Sequence, residues 1–285
     1  MSHTAPRRTL MAVFAHPDDE AFGSGGSLSR YAAEGVDVHL VTASRGEAGQ
    51  SAVPGLATQA SLPDVREAEL RCACLAYGDV RLHLLDYVDG QLTIVHQGQA
   101  VGRLVRLIRQ VRPDVLITFG PDGIYGHYDH IAVHRWATIA YDLAADPACF
   151  PGPEEACEPH QIAKLYYRAM PQAQVAARAA SGAGAVLMDG VPFAFAGLRD
   201  DEITTFIDVS PYAQRKLEGI RCHRSQIGDT SDYAVHPDRI LRDPWFVRES
   251  FVLARSTVGQ PDGLEDDLFA RLPRATGRDH AATDR

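Results

Sequence analysis

Short apolar segments alternate with longer amphipathic segments through the first 145 residues of this chain. The first of them, Thr9 to Ala15, is almost purely apolar, which is typical of a strand buried on both faces of a parallel sheet. The predicted strands are Thr9 to Ala15, Val36 to Ala43, Arg81 to Asp86 and Asp114 to Phe119. The predicted helices are Ser24 to Glu34, Pro63 to Tyr77, Gly98 to Val111 and Asp129 to Ala145. This order predicts an α/β fold, Rossmann-like and doubly wound, with a mostly parallel sheet and helices on both faces.

The remaining residues predict an elaborated C-terminal part and no second domain. The elements expected there are strands at Ala163 to Met170 and Thr204 to Val209 and a helix at Pro211 to His223. Residues 146–160 are predicted to form an insertion loop, and 173–197 carry only a weak signal. Because no linker divides the chain, we expect one domain over 1–285, with its core at about 9–225 and a disordered tail at 277–285.

Charge and hydropathy exclude several classes of partner. The 28 basic residues against 37 acidic ones give a net charge of −9, which argues against nucleic acid or an anionic membrane as the main partner. No apolar run approaches the ~20 residues that a membrane-spanning helix needs. The apolar stretch near the N-terminus is too short for a secretory signal. We therefore expect a cytoplasmic protein with a small-molecule partner, and the sequence leaves a homo-oligomer open.

The five cysteines match no disulfide framework and no cysteine-based zinc site. They are Cys72, Cys74, Cys149, Cys157 and Cys222. Their odd number and their spacings, in a protein expected in the cytoplasm, predict five reduced thiols. Cys72 and Cys74 lie two residues apart on a predicted helix, so they are expected to point to different faces.

Ionisable residues are concentrated after the first and fourth predicted strands. His16-Pro17-Asp18-Asp19-Glu20 follows the first strand, and Tyr125-Gly126-His127-Tyr128-Asp129-His130 follows the fourth, with His134 one turn later. Ligands of doubly wound sheets bind at the carboxyl ends of the strands, so both clusters are expected at one edge. Imidazole and carboxylate are the ligands of a catalytic zinc, which takes three protein ligands and leaves a position for water. The sequence therefore predicts a metal site built from both clusters.

Two ligand sets are compatible with these residues. His130 and His134 lie four residues apart and share a helix face, as in the H-E-x-x-H motif. Ile131 stands where that motif has its glutamate, which weighs against this set. The alternative set takes His16 and Asp19 from the first cluster and His130 from the second. Asp18 then stays free beside the metal.

The two clusters together resemble a known enzyme family. His16-Pro17-Asp18-Asp19-Glu20 after an apolar strand, with Gly126-His127-Tyr128-Asp129-His130 about 110 residues on, looks like the LmbE-like, PIG-L family of zinc-dependent N-deacetylases. The resemblance covers most of 9–145, with fainter similarity to about Gln226. It implies hydrolysis of the N-acetyl group of an N-acetylglucosaminyl conjugate, such as an intermediate of mycothiol or bacillithiol synthesis, with release of acetate and a free amine. The family also includes the mycothiol-conjugate amidase, which acts on a larger amide.

The resemblance implies roles for seven residues of the two clusters. His16, Asp19 and His130 match the ligands of one Zn²⁺, although Fe²⁺ also accepts such ligands. Asp18 matches the general base, and His127 the histidine that acts as general acid or stabilises the oxyanion. Tyr125 matches an oxyanion contact, and Asp129 a residue that orients a histidine. Tyr128 departs from the family pattern, because many members carry proline there.

Four further residues are candidates for substrate binding. Glu47 follows the second predicted strand. Arg66 and Asp89 match an arginine and an aspartate with which the family holds sugar hydroxyls. His223, in His223-Arg224-Ser225-Gln226, resembles a segment at the pocket of some members. The alternative readings are a solvated helix charge for Arg66 and a turn residue for Asp89.

Two functions of other classes are alternatives to a deacetylase. Gly23-Ser24-Gly25-Gly26 follows the first strand, as in a dinucleotide-binding fold. Leu28 stands where G-x-G-x-x-G has its last glycine, so these glycines are expected to ease the turn beside the metal instead. A non-catalytic sugar-binding relative is the second rival, but binding alone requires neither Asp18 nor His127.

Overall fold

The computed structural model describes residues 7–151, 158–188 and 190–273. Its strands are β1 (Thr9–Phe14), β2 (Asp37–Thr42), β3 (Arg81–Leu84), β4 (Val115–Phe119), β5 (Lys164–Ala169), β6 (Ala185–Met188), β7 (Val191–Ala194), β8 (Thr205–Asp208) and β9 (Arg248–Ser256). Its longer helices are α1 (Asp19–Ala33), α2 (Leu62–Tyr77), α3 (Gln97–Val111), α5 (Tyr128–Leu143), α6 (Gln172–Ala180) and α7 (Ala213–Cys222). Four further α-helical segments are single turns: α4 (Gly123–Gly126), α8 (Arg224–Ile227), α9 (Asp232–Val235) and α10 (Pro237–Ile240). The predicted tail at 277–285 lies outside the described residues.

A seven-stranded sheet has the order β3-β2-β1-β4-β5-β9-β8. The first five strands run parallel, and β9 pairs antiparallel with both β5 and β8. Helices α1, α2 and α7 pack together, and α3 packs on α5. The predicted α/β class with a mostly parallel sheet is confirmed. The strand order reverses between β1 and β4, which is where such sheets bind ligands.

Strand β9 was not predicted from the sequence. It lies inside the sheet between β5 and β8, beyond the core predicted at about 9–225. The weakly predicted residues 173–197 contain most of α6 and a separate β6–β7 hairpin. Among the described residues, no helix is both long and apolar enough to cross a membrane.

The glycines after β1 lie inside a helix, so the prediction that they ease the turn beside the metal is wrong. Helix α1 begins at Asp19, five residues before the predicted start. A Cβ on Gly26 would lie 2.6 Å from two side-chain carbons of Val209. A Cβ on Gly25 would lie 3.1 Å from the Tyr77 ring. These glycines therefore allow other segments to pack closely against α1.

The cysteine prediction is also wrong for one pair. Cys72 on α2 and Cys222 at the end of α7 form a disulfide across 150 residues of sequence. Cys74 is free and buried, and Cys149 is free and partly exposed. Cys157 lies outside the described residues. The spacing of residues in the sequence could not show that α2 and α7 pack side by side.

Candidate active site

The turn after β1 presents the first cluster in a constrained backbone. The backbone N–H of His16 donates to Asp19 Oδ2 at 2.7 Å, and Asp19 then begins α1. Asp18, between them, has a φ of 109°, a left-handed conformation that is costly for a residue with a Cβ. Such strain is concentrated at functional sites, typically at ~1–3 kcal/mol per residue. The turn therefore fixes where the carboxylates of Asp18 and Asp19 lie.

The segment after β4 fixes the orientation of two histidine rings. His127 precedes α5, and its Nδ1 accepts the backbone N–H of Asp129 at 3.1 Å. His130 Nδ1 lies 3.1 Å from the carbonyl of Gly123, so this nitrogen donates. In the neutral rings, His127 therefore carries its proton on Nε2, and His130 has a free lone pair there.

His130 Nε2 faces a carboxylate without a hydrogen bond between them. The atom is buried, lies 3.1 Å from Asp19 Oδ1, and has no hydrogen-bond partner among the described residues. Two lone pairs at this separation repel each other unless a cation lies between them or a proton is gained. A buried, unpaired nitrogen opposite a carboxylate is the arrangement expected of metal ligands.

His16 supplies a third candidate metal ligand, next to Asp19 and His130. Its Nε2 lies 2.9 Å from Asp89 Oδ1 and 3.3 Å from Asp129 Oδ2. Since carboxylates only accept, Nε2 carries the proton and Nδ1 faces Asp19 Oδ2, 3.4 Å away. Burial lowers the pKa of His16, but the three surrounding carboxylates outweigh burial, and the net pKa is well above its usual value. This position therefore favours a cation, and a carboxylate behind a ligand histidine is typical of metal sites.

Geometry alone also groups other ligand atoms within 4.8 Å of one another. These sets are His16 with His127 and His130, and His16 with Asp89 and Asp129. His127 Nδ1 is occupied by a backbone N–H, and Asp129 accepts the N–H groups of Gly90 and Leu92, at 2.7 and 3.1 Å. Asp19 is in neither set, but its Oδ1, together with His16 Nδ1 and His130 Nε2, is left without a hydrogen bond among the described residues.

His134 lies apart from these donors. Its Nδ1 is 2.9 Å from the carbonyl of Phe119, and its ring packs edge-on against Tyr167. The geometry therefore weighs against the H-E-x-x-H alternative.

Asp18 stays outside the donor set and contacts a buried cation. Its Oδ2 lies 3.3 Å from Arg66 Nη2, and its backbone N–H donates to Glu20 Oε2 at 3.0 Å. Burial raises the pKa of Asp18 to about 6, although the Arg66 cation opposes the rise. A carboxylate of this pKa is ionised at neutral pH and basic enough to take a proton.

His127 and Tyr125 lie beside the candidate metal ligands and can donate hydrogen bonds. Burial and the neighbouring imidazoles of His130 and His16 together lower the pKa of His127 to about 4, so the ring is neutral. Burial also raises the pKa of the Tyr125 hydroxyl, which therefore keeps its proton. The Tyr125 ring packs edge-on against His127 and His130, with ring centroids at 5.9 and 5.2 Å. Both groups can donate to an oxygen that becomes negatively charged.

The four predicted substrate contacts all have partners within the chain. Arg66 is buried and donates to the carbonyls of Pro17 and Gly46. Glu47 accepts the backbone N–H of Asp89, and Asp89 lies against His16. His223 is fully buried, and its Nε2 lies 2.7 Å from Glu20 Oε1. The structure thus places Glu47, Arg66 and Asp89 around the proposed metal donors and His223 behind Asp18.

Comparison with known proteins identifies the family. A family model described as PIG-L, GlcNAc-PI de-N-acetylase, matches residues 11–141. The 1D-myo-inositol 2-acetamido-2-deoxy-alpha-D-glucopyranoside deacetylase of Streptomyces griseus is 39% identical over 97% of this chain and 93% of its own length. The chain belongs to the PIG-L family. The predicted resemblance is confirmed, and with it the predicted reaction class, hydrolysis of an amide by an N-deacetylase.

Solved structures support the PIG-L fold. The N,N'-diacetylchitobiose deacetylase of Pyrococcus horikoshii has a TM-score of 0.60 and 20% identity, over 82% of this chain and 76% of its own. A protein of Pseudomonas putida described as the 4-carboxy-2-hydroxymuconate hydratase, GalB, has a TM-score of 0.61 and 20% identity, over 89% of this chain and 98% of its own. Because one is a deacetylase and the other a hydratase, the fold alone does not determine the reaction.

Two charged residues of the PIG-L site were missed by sequence reasoning. Arg168 on β5 donates from Nη1 to the carbonyl of Asp19 at 2.9 Å, and a Cβ on Gly23 would collide with its guanidinium. Glu20 is buried and joins the Asp18 backbone to His223. An arginine within a mostly apolar strand was an available signal for Arg168. No local signal pairs Glu20 with a residue 203 positions away.

Proposed function

We propose that this chain deacetylates 1D-myo-inositol 2-acetamido-2-deoxy-α-D-glucopyranoside, or a closely related N-acetylglucosaminyl conjugate, with one Zn²⁺ held by His16, Asp19 and His130. The observation that carries the proposal is the unpaired His130 Nε2, 3.1 Å from Asp19 Oδ1. The substrate is inferred from the names of curated relatives at 33–39% identity. Fe²⁺ is the alternative metal, because it accepts the same ligands.

A bound divalent cation would polarise the amide carbonyl and lower the pKa of a water molecule at the site. Asp18 would take the proton of that water, because its carboxylate lies beside the three proposed ligands and is not itself a ligand. With its pKa raised to about 6, Asp18 can also return this proton to the leaving amine. Arg66, 3.3 Å from Asp18 Oδ2, orients the carboxylate.

His127 acts in this proposal as a hydrogen-bond donor to the oxyanion and not as a general acid. A cationic ring needs a proton on Nδ1, and that atom already accepts the backbone N–H of Asp129 at 3.1 Å. The neutral ring keeps Nε2–H free for the developing negative charge. Tyr125 supplies a second O–H donor. Asp129 orients His16 and stays outside the reaction itself.

The substrate contacts Glu47, Arg66, Asp89 and His223 stay predictions. A sugar hydroxyl at Asp89 shares a carboxylate that already accepts from His16 and from the backbone N–H of Ala48. A sugar at His223 would have to enter a fully buried position. The cytoplasmic location and the absence of nucleic-acid and membrane partners likewise stay predictions from the sequence.

The first test separates metal binding from proton transfer. We expect His130→Ala to lose bound metal, and Asp18→Asn to keep full metal while kcat falls by ~10²–10⁴-fold. His134→Gln is the matched control, because His134 lies one turn further along α5 and outside the donor set. Metal content is measured by mass spectrometry and turnover by release of free amine. Full metal in His130→Ala, or a normal rate in Asp18→Asn, contradicts the assigned roles.

The second test identifies the substrate. The metal-loaded protein is offered the inositol conjugate, free N-acetylglucosamine, N,N'-diacetylchitobiose and a larger thiol-conjugate amide, with acetate and amine both measured. We expect the highest kcat/KM for the inositol conjugate. Preference for the larger amide, with an amine product and no acetate, would favour the amidase alternative. Binding without any turnover would favour the non-catalytic one.

A further inference from the structure

The disulfide between Cys72 and Cys222 lies outside the proposed chemistry but close to the residues that hold it. Cys72 is exposed on α2, and Cys222 is partly exposed at the end of α7. Of the two cysteines, Cys72 is therefore the one more open to a thiolate from solvent. Cys74 is buried, which raises the pKa of its thiol and keeps it protonated. Exposed disulfides are typically the labile or regulatory ones.

The disulfide joins α2 to the junction between α7 and α8, and a pair of hydrogen bonds joins the same two parts of the chain. One turn before Cys72, Glu69 accepts both the backbone N–H and the hydroxyl of Ser225, each at 2.6 Å. Both Glu69 and Ser225 are buried. The carbonyl of Ser225 in turn accepts the backbone N–H of Ala52 at 2.6 Å. The S–S bond and these hydrogen bonds thus hold the same junction.

Both sides of this junction connect to Asp18, the α2 side directly and the α7 side through Glu20. On the α2 side, Arg66 reaches Asp18 Oδ2 at 3.3 Å. On the α7 side, His223 directly follows Cys222 and lies 2.7 Å from Glu20 Oε1. Glu20 uses its other oxygen to accept the Asp18 backbone N–H at 3.0 Å. The position of the proposed base therefore depends on two helices that the disulfide joins.

We propose that Cys72–Cys222 is a redox-sensitive clamp on the active site, whose reduction by a thiol or dithiol lowers turnover. The activity readout rests on the proposed deacetylase function. A thiolate of the reductant attacks Sγ of Cys72, the S–S bond breaks, and Cys222 leaves as a thiolate that takes a proton from water. A second thiol resolves the mixed disulfide. Two reductant thiols are oxidised to one disulfide, and two electrons and two protons reduce the pair of cysteines.

Reduction loosens the junction without unfolding the chain. Leu217 and Ile220 of α7 stay buried in the core, and Gly219 still packs against the Tyr77 ring. The change is therefore a small displacement of His223 and Ser225. A 1 Å misplacement can cost ~10² in rate, so we expect a smaller loss of kcat, ~3- to 10-fold. KM and metal content should stay nearly unchanged.

The experiment compares the metal-loaded protein in both thiol states with two variants. The two forms are prepared with the disulfide and the dithiol form of a catalytic dithiol protein, because small dithiols remove zinc. The thiol states are verified by alkylation and mass spectrometry. Cys72→Ser/Cys222→Ser should have the kcat of the reduced form and no response to the reductant. Cys149→Ser, which changes a free cysteine, should respond as the wild type does.

Three results would overturn the clamp. The first is that Cys72 and Cys222 stay unpaired after oxidation. The second is a double variant with the kcat of the oxidised wild type. The third is a double variant that loses activity with reductant as the wild type does. If the oxidised, metal-loaded protein deacetylates none of the sugars, the proposed function fails instead. Hydrogen exchange at 222–227 then tests the clamp, and equal protection in both thiol states refutes it.

Discussion

The buried ion pair between Lys216 and Glu249 is expected to be a main support of the C-terminal half of the fold. Lys216 Nζ on α7 lies 2.9 Å from Glu249 Oε1 on β9, and both side chains are 1% exposed. Glu249 also accepts the backbone N–H groups of Gly26 and Ser27 on α1, at 2.9 and 2.8 Å. One carboxylate therefore joins two helices to the strand that the sequence analysis missed.

Glu249→Gln keeps the shape of the side chain and removes its charge. Removing one partner of a buried pair typically costs ~3–5 kcal/mol, because the other charge stays buried without compensation. With an m-value of ~3 kcal/mol per molar urea, this loss lowers the unfolding midpoint by roughly 1 M or more. Equilibrium urea unfolding of the metal-loaded protein measures it, with the fluorescence of the two tryptophans, Trp136 and Trp245, as the probe.

Asp201→Asn is the matched control for burial. Arg199 Nε and Asp201 Oδ1 are also 2.9 Å apart, but their side chains are 66% and 73% exposed. Water screens this pair, so its loss should leave the urea midpoint within error of the wild type. Equal midpoint shifts in Glu249→Gln and Asp201→Asn would refute the reasoning that burial determines the contribution.

The same pair predicts a dependence of stability on pH. Burial raises the pKa of Glu249, but Lys216 and the donors from α1 lower it more, so the net shift is downward. A carboxyl with a depressed folded-state pKa stabilises above its unfolded pKa of ~4.3, and this stabilisation is lost as the pH falls through the folded value. The difference in unfolding free energy between wild type and Glu249→Gln should therefore be constant from about pH 5 to about pH 7 and should shrink below about pH 4.

Two further predictions concern packing on α1 and the proposed base. Gly26→Ala should destabilise the fold by ~1–3 kcal/mol, because the new Cβ would lie 2.6 Å from side-chain carbons of Val209. Gly263→Ala is the control in the same unfolding assay and should be neutral, because the space around Gly263 is open. Arg66→Met should shift the acid limb of the pH–kcat profile upward from about 6, because the Arg66 cation lowers the pKa of Asp18. An unshifted limb would show that Asp18 is not the titrating base.

The first half of the fold could be predicted because its strands carry their own signal. β1 and β4 are buried along their whole length, so they appear in the sequence as apolar runs. β9 lacks that signal, because Glu249 within it is charged and can be buried through Lys216, 33 positions earlier in the chain, and through two backbone N–H groups of α1. Pairings of this kind depend on the tertiary fold.

The site shows the same division between local and long-range information. His16, Asp19 and His130 carry motif signals, and the structure brings all three together. The partners of Arg66 and His223 could not be predicted, because they are backbone carbonyls and a carboxylate from distant segments. The Cys72–Cys222 disulfide belongs to the same group, since counting cysteines does not show which helices pack together.

Asp129 links the two roles that the histidines have in the proposed mechanism. Its carboxylate lies 3.3 Å from His16 Nε2, which turns the lone pair of Nδ1 toward Asp19. Its backbone N–H donates to His127 Nδ1, which leaves Nε2–H as the only donor of that ring. Asp129, with Asp89 also 2.9 Å from His16 Nε2, thus leaves His16 Nδ1 free for the proposed metal and His127 Nε2–H free to donate a hydrogen bond. The chemistry of each imidazole is set at the nitrogen that faces away from the reaction, which is why ring type and spacing alone could not assign the roles.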